Sequence, residues 1–235
     1  MRFSLGQSAP RVEDLRLLRG GGRYTDDINI QGQAYAYMLR SPHAHARICS
    51  VNTSAAIEMP GVIAIYTGKE IASAGLGRMP CLAAKLLPLK RPDGSPMYEP
   101  KRLALSEDKV AFVGDYVAFV VAETAAQARD AADLIVIDYE ELAPVVEIQN
   151  ALAADTTPIW DDCPDNICFQ MDIGDKDATN VAFTNAHHVS RVEIPFARVA
   201  INPMEPRAAI GEYDRFEGRY TLHSGNQFPH DLRAW

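Results

Sequence analysis

The fold turns on the stretch Lys109-Val110-Ala111-Phe112-Val113-Gly114-Asp115-Tyr116-Val117-Ala118-Phe119-Val120-Val121-Ala122-Glu123-Thr124-Ala125-Ala126-Gln127-Ala128-Arg129-Asp130-Ala131-Ala132-Asp133-Leu134-Ile135-Val136-Ile137-Asp138-Tyr139. Two apolar runs flank Gly114-Asp115, so Val110–Ala122 reads as a strand pair or as one bent strand. Thr124 stands three residues before Gln127, the spacing of a capping box. It opens a helix with small apolar residues at Ala125, Ala128 and Ala132 and with Ile135 beyond. Leu134–Tyr139 then reads as a buried strand. Strand, helix and strand in this order form a β-α-β unit of an α/β or α+β domain, and a helix faced with alanine lets the layers pack closely.

Toward the N-terminus, Ala34–Arg40 reads as a strand that Ser41-Pro42 breaks, and Ile48–Val51 as a second short strand. Thr53 is placed to cap a short helix that Pro60-Gly61 stops. Val62–Tyr66 reads as a strand, and Thr67 with Glu70 has capping-box spacing for a helix starting near Ile71. Five prolines between Pro80 and Pro100 mark a long surface excursion over 75–101. Toward the C-terminus, 143–185 turns polar, with Pro144, Pro158, Pro164 and several aspartates, and reads as an interdomain crossing. Val189–Phe196, Arg207–Tyr213 and Arg219–Ser224 then read as strands. The last two form a hairpin over a five-residue loop at Asp214–Gly218.

The composition sets outer bounds. The chain has 235 residues, 23 Lys and Arg against 31 Asp and Glu, a net charge of −8 and 47% hydrophobic residues. That apolar content excludes general disorder, and the acidic balance argues against a nucleic-acid or membrane-surface binder. No run approaches the roughly 18 apolar residues of a membrane span, and the first eight residues lack the apolar core of a secretory signal. Cys49, Cys81, Cys163 and Cys168 show neither zinc nor cluster spacing and read as free thiols of a cytoplasmic protein.

Candidate chemistry is sparse. Extended, His43 and His45 would share one face, but no third ligand is near and Arg40 and Arg47 oppose a cation, so the pair reads as a loop or interface feature. His187-His188 would point to opposite faces of a strand. Gly20-Gly21-Gly22 lacks the strand before and the helix after that a phosphate-cradling loop needs. The acidic pairs Asp26-Asp27 and Asp161-Asp162 read as solvated loop residues. Neither G-x-S-x-G nor H-E-x-x-H occurs.

A set of motifs in fixed order nevertheless resembles one family. Gly22-Arg23-Tyr24-Thr25-Asp26-Asp27-Ile28 is followed by Arg40-Ser41-Pro42-His43-Ala44-His45-Ala46-Arg47-Ile48, then Pro60-Gly61-Val62, Asp108-Lys109-Val110, Val113–Ala118, Ala131-Ala132 and Val136–Glu140. This series resembles the opening of the molybdenum hydroxylases, the group of xanthine dehydrogenase, aldehyde oxidase and aerobic carbon monoxide dehydrogenase. Pro203-Met204-Glu205-Pro206-Arg207-Ala208, Glu212-Tyr213-Asp214 and Asn226-Gln227 resemble the start of the same family's molybdopterin-binding domain. The resemblance implies an α+β chain: an N-terminal extension over 1–18, an α/β hammerhead domain over 19–142, an interdomain linker over 143–188 and the beginning of a molybdopterin-binding domain over 189–235.

The resemblance also implies chemistry. The family oxidises carbon centres with oxygen drawn from water at a pterin-bound molybdenum, here expected in the cytosine dinucleotide form. Electrons leave through iron–sulfur clusters and FAD on partner subunits. Gln227 matches the family glutamine that hydrogen-bonds an oxygen ligand of molybdenum, a task suited to an uncharged N–H donor. The Asn226 before it departs from the Thr common in the family. No residue here matches the family's catalytic base, which lies further along its subunits. Three readings stand: the N-terminal part of a catalytic large subunit, inactive alone and partnered by the rest of that subunit, an iron–sulfur subunit and a flavin subunit; a non-catalytic docking module; or a degenerate remnant. None involves nucleic acid or membrane.

Overall fold

A computed structural model of the protein describes residues 11–153, 155–196 and 199–234. The first ten residues of the expected N-terminal extension, and Trp235, lie outside them. The strands are β1 (Tyr35–Arg40), β2 (Ala46–Asn52), β3 (Val62–Thr67), β4 (Lys109–Val110), β5 (Tyr116–Ala122), β6 (Val136–Glu141), β7 (Ala209–Asp214) and β8 (Arg219–Ser224). The helices are α1 (Asp14–Leu18), α2 (Ser54–Ile57), α3 (Gly68–Ser73), α4 (Leu82–Leu86), α5 (Ala125–Ala132), α6 (Lys176–Asn185) and α7 (Pro229–Ala234). Gln33–Ser190 forms one compact unit, and the residues before and after it form a second. Among the described residues no helix is long and apolar enough to cross a membrane.

The larger unit is α+β, as expected, but its central motif is built differently from a parallel β-α-β unit. There are two three-stranded sheets, ordered β1-β5-β3 and β4-β2-β6, and every ladder in them is antiparallel. The apolar run 110–122 is therefore neither a hairpin nor one bent strand: β4 joins one sheet and β5 the other. The chain changes sheet at a turn where Gly114, with φ of +90°, donates its N–H to the Ser41 carbonyl at 2.8 Å. Asp115 returns the tie by accepting the Ser41 N–H at its own carbonyl, also 2.8 Å. Helix α5 carries the chain back from β5 to β6 in the other sheet.

The core follows this layout. Ala118, Val120 and Ala122 of β5 lie on one side of the strand and pack with Ala128, Ala131, Ala132 and Ile135. Ala125, at the first position of α5, stays exposed, so the buried stripe starts one turn later than the sequence spacing suggests. Val117, on the other side of β5, meets Ala46 and Val110 from the second sheet. Leu39 and Ile137 pack against both clusters and join them.

Local signals at the element ends are mixed. Thr124 Oγ1 accepts the Gln127 N–H at 3.2 Å, and the Thr67 N–H donates to Glu70 at 2.8 Å. Helix α3 nevertheless starts at Gly68, because that box caps the residue directly after Thr67. Thr53 makes no side-chain cap; Asn52 Oδ1 takes the Ser54 N–H instead, at 3.0 Å.

Part of the polar stretch 143–185 folds against the proline-rich excursion. Lys90 bridges both Pro96 and Gln170, and the Tyr98 N–H donates to the Cys168 carbonyl at 2.8 Å. The stretch also holds α6, capped by Asp175 Oδ1 on the Ala178 N–H at 2.9 Å, a helix the sequence reading passed over.

In the smaller unit, β7 and β8 form an isolated antiparallel ribbon. Asp214 pairs with Arg219, so the loop has four residues and not five. Val189–Phe196, expected as a strand, joins no ladder and is irregular. Its alternation is strand-like, but the structure supplies no neighbouring edge to hydrogen-bond it.

Candidate cofactor-facing loop and buried polar clusters

Gln227 sits in the loop between β8 and α7, exposed, with no hydrogen-bond partner for its amide among the described residues. Its neighbour Asn226 is committed to the loop, donating Nδ2–H to the Ser224 carbonyl at 3.4 Å. A side chain at Gly225 would come 3.5 Å from Glu205 Oε1, which places the Pro203–Arg207 motif beside this loop. The ribbon that delivers the loop carries a hydrogen-bonded couple, His223 Nε2 and Glu212 Oε1, 3.0 Å apart and half-buried. This couple escaped the sequence reading for one reason. The observed register sets His223 opposite Ile210, so Glu212 shares its face. A five-residue loop would shift the ribbon by one position and send the two side chains to opposite faces.

The other candidate residues resolve into structural roles. His45 is 3% exposed, and its Nδ1–H donates to the Ala143 carbonyl at 2.9 Å, which leaves Nε2 without a partner among the described residues. His43 faces the Tyr139 ring at 4.7 Å, and its Nδ1 lies 3.6 Å from Glu141. The two imidazoles serve different contacts, and no group of three or more His, Cys, Asp or Glu placed to hold a metal occurs among the described residues. Gly20–Gly22 caps α1: Gly20, at φ of +74°, donates to the Leu17 carbonyl at 3.0 Å, and Gly21 to that of Arg16 at 2.9 Å. Those amides finish a helix and are not free to hold a phosphate.

The aspartates of 161–165 are engaged and not merely solvated. Asp165 accepts two bonds from Arg91 Nη2, at 2.8 and 2.7 Å. Lys109 Nζ donates to Asp161 at 2.9 Å, and the Tyr98 hydroxyl donates to Asp162. The Ile167 amide, with Arg91, holds the Asp165 carboxyl below the usual carboxylate range, and Lys109 does the same for Asp161. Cys163, 1% exposed, has its thiol pushed up by burial. All four cysteines are free thiols. The result is a clamp joining the 75–101 excursion to the 160–170 turn, invisible in the sequence because its partners lie more than fifty residues apart.

Taken together, the molecule is an α+β protein in which two antiparallel sheets share one core and a second, smaller unit presents a polar loop at the end of a ribbon. Residues 19–143 match the family model described as the aldehyde oxidase and xanthine dehydrogenase a/b hammerhead domain, and residues 159–235 match the molybdopterin cofactor-binding domain. The chain belongs to the aldehyde oxidase and xanthine dehydrogenase family. It is 33% identical over 242 residues to the carbon monoxide dehydrogenase large chain of Afipia carboxidovorans, covering 98% of this chain and 28% of that one. It is 36% identical over 240 residues to the nicotine 6-hydroxylase large subunit of Paenarthrobacter nicotinovorans, covering 99% and 27%. Among solved structures, quinoline 2-oxidoreductase from Pseudomonas putida 86 superposes with a TM-score of 0.81 at 32% identity, covering 97% of this chain and 28% of that one. The chain thus spans a little over a quarter of the length of these relatives.

Proposed function

We propose that this chain supplies the N-terminal part of the molybdopterin-binding catalytic subunit of a molybdenum hydroxylase, a cytoplasmic oxidoreductase. In this reading 19–142 is the hammerhead domain, 143–188 links it to the cofactor domain, and 189–235 begins that domain. The observation that carries the reading is the presence of both family models, in that order, on one chain. The bound group, a molybdopterin in its cytosine dinucleotide form, would supply two-electron oxidation of a substrate carbon. The residues of this chain fit a positioning role. Gln227 has a free, uncharged amide able to donate to the polar edge of that group, while Asn226 bonds back to its loop. Electrons would leave through iron–sulfur and flavin subunits, and the remaining length of the large subunit would supply the base and substrate pocket.

The test is molybdenum content and co-purifying polypeptides for the chain isolated from its native cells. Stoichiometric molybdenum with companion chains is the expected result; a metal-free chain alone overturns the reading and favours a docking module. In the assembled enzyme, Gln227→Ala is expected to lower turnover at least about tenfold, in the range of losing one preorganised donor. The melting temperature should change little, since the side chain is exposed. Wild-type turnover in that variant would remove the cofactor role from Gln227.

A further inference from the structure

The ribbon that delivers Gln227 is held unevenly along its length. At the end away from Gln227, Tyr213 and Tyr220 face each other across the strands with ring centroids 4.5 Å apart. Asp214 there accepts the Phe216 and Glu217 N–H groups at 2.8 and 3.2 Å. At the end that leads to Gln227 the cross-strand partners are Gly211 with Leu222, Ile210 with His223 and Ala209 with Ser224. Gly211 gives Leu222 no side chain to pack on, and Ala209 and Ser224 are small. What grips this end is the diagonal couple, His223 Nε2 and Glu212 Oε1, 3.0 Å apart. Among the described residues it is the one side-chain hydrogen bond between the two strands. A carboxylate only accepts, so His223 Nε2 carries the proton and the bond is charge-assisted. His223 stands four positions before Gln227. The loop between them adds little restraint of its own, since Asn226 Nδ2–H reaches only back to the Ser224 carbonyl, at 3.4 Å.

We propose that Glu212 and His223 are positioning residues for Gln227: their bond locks the loop end of the ribbon and so sets where the Gln227 amide points. The inference rests on the reading above, in which that amide faces a bound molybdopterin. A two-stranded ribbon is marginal in water, so one charge-assisted bond at its weakly packed end decides whether β8 stays in register as far as Ser224. If β8 frays from His223 onward, Gln227 moves with it, and a donor displaced by about 1 Å loses much of its effect. The couple acts through the ribbon and not by contact with the bound group.

The experiment is a double-mutant cycle in the assembled enzyme, with hydrogen exchange as a second readout. Glu212→Val and His223→Phe should each lower turnover about three- to tenfold, with molybdenum content unchanged. In the Gln227→Ala background neither should lower it further, because residues that act through Gln227 then have nothing left to position. Glu212→Gln, whose amide oxygen still accepts from His223 Nε2, should stay within about twofold of wild type. Independently of turnover, the amides of 224–228 should exchange about tenfold faster in Glu212→Val, while those of 213–220 keep their protection. Losses that add to that of Gln227→Ala, wild-type turnover in both couple variants, Glu212→Gln as slow as Glu212→Val, loss of molybdenum from either couple variant, or unchanged exchange at 224–228 each overturn the positioning role and leave the proposed function standing. Wild-type turnover in Gln227→Ala removes the role of Gln227 and the inference with it. Absence of both molybdenum and companion chains from the native preparation overturns the proposed function and the inference together.

Discussion

At the scale of single residues, close approaches and charge placement give the sharpest expectations. Gly68 begins α3 where a Cβ would lie 2.3 Å from the Ser106 carbonyl oxygen and 2.6 Å from Glu107 Cα, both backbone atoms that cannot swing aside. Gly68→Ala is expected to destabilise by about 2–3 kcal/mol, as overpacking against fixed atoms does. Gly211, with nothing within 4 Å of its Cβ position, is the control, and Gly211→Ala should stay within about 0.5 kcal/mol. Urea denaturation of both variants checks the pair. Charge placement predicts the pH profile. Asp165 and Asp161 are held below the usual carboxylate range, so their contribution is present above about pH 4 and is lost as pH falls further, when the folded state must be protonated. Burial pushes the Cys163 thiol up and, more strongly, the Tyr98 phenol. The folded state therefore keeps protons that the unfolded chain releases, and stability declines as pH rises above about 8.5 and again above about 10. A melting-temperature profile with a plateau between these limbs is expected, and Cys163→Ala should reduce the first step of the alkaline limb without abolishing it, because burial also pushes the Cys168 thiol up. Little of this was readable in advance, since Arg91 and Asp165 are 74 positions apart and no local pattern couples them.

At the scale of elements, what was legible is what is local. The capping spacing of Thr124 and the small residues after it placed α5, because an i, i+3 cap and a helical stripe are short-range facts. The same spacing at Thr67 placed α3 to within three residues. Partnership was not legible. Nothing in 110–122 says that its two halves enter different sheets, because that depends on β2 and β1, which lie more than sixty residues earlier. The alternation in Val189–Phe196 is that of a strand, yet a strand needs an edge to pair with. The loop length at Asp214–Arg219 was off by one, which hid the Glu212–His223 couple. A prediction separates true caps from apparent ones. Thr124→Ala should cost about 1 kcal/mol, because Thr124 Oγ1 accepts an orphan N–H at the start of the helix that fills the core. Thr53→Ala should be nearly silent, within about 0.5 kcal/mol, because Thr53 occupies the cap position of α2 without bonding it. Equal losses in the two variants would mean that position, not the hydrogen bond, carries the effect.

At the scale of the whole molecule, the two units differ in how well each satisfies itself. The larger unit closes a core around β5 and α5. The smaller leaves Val192, Ile194 and Phe196 at 76, 77 and 88% exposure on an irregular segment that joins no ladder among the described residues. Its two-stranded ribbon exposes Tyr213, Tyr220 and Leu222, and neither outer edge is paired among the described residues. An isolated ribbon is marginal in water, and unpaired edges beside alternating apolar side chains template further strands. Burying even a few of these side chains is worth about 1.5–3 kcal/mol each, enough to drive association at micromolar concentration. The chain on its own is therefore expected to self-associate through 192–224, with the larger unit still folded inside the assemblies. Sedimentation velocity across a hundredfold concentration range reads this as a rising weight-average mass. Hydrogen exchange should show slowed amides in 192–224 on association and unchanged protection in β1, β3 and β5. Ile194→Lys, which puts a charge on the open segment as edge strands commonly carry, should return the chain toward monomer without altering β5 protection. A sharp, reversible, concentration-independent melt of a monomeric wild-type chain would refute this, and would mean that the smaller unit covers its own apolar side chains in solution.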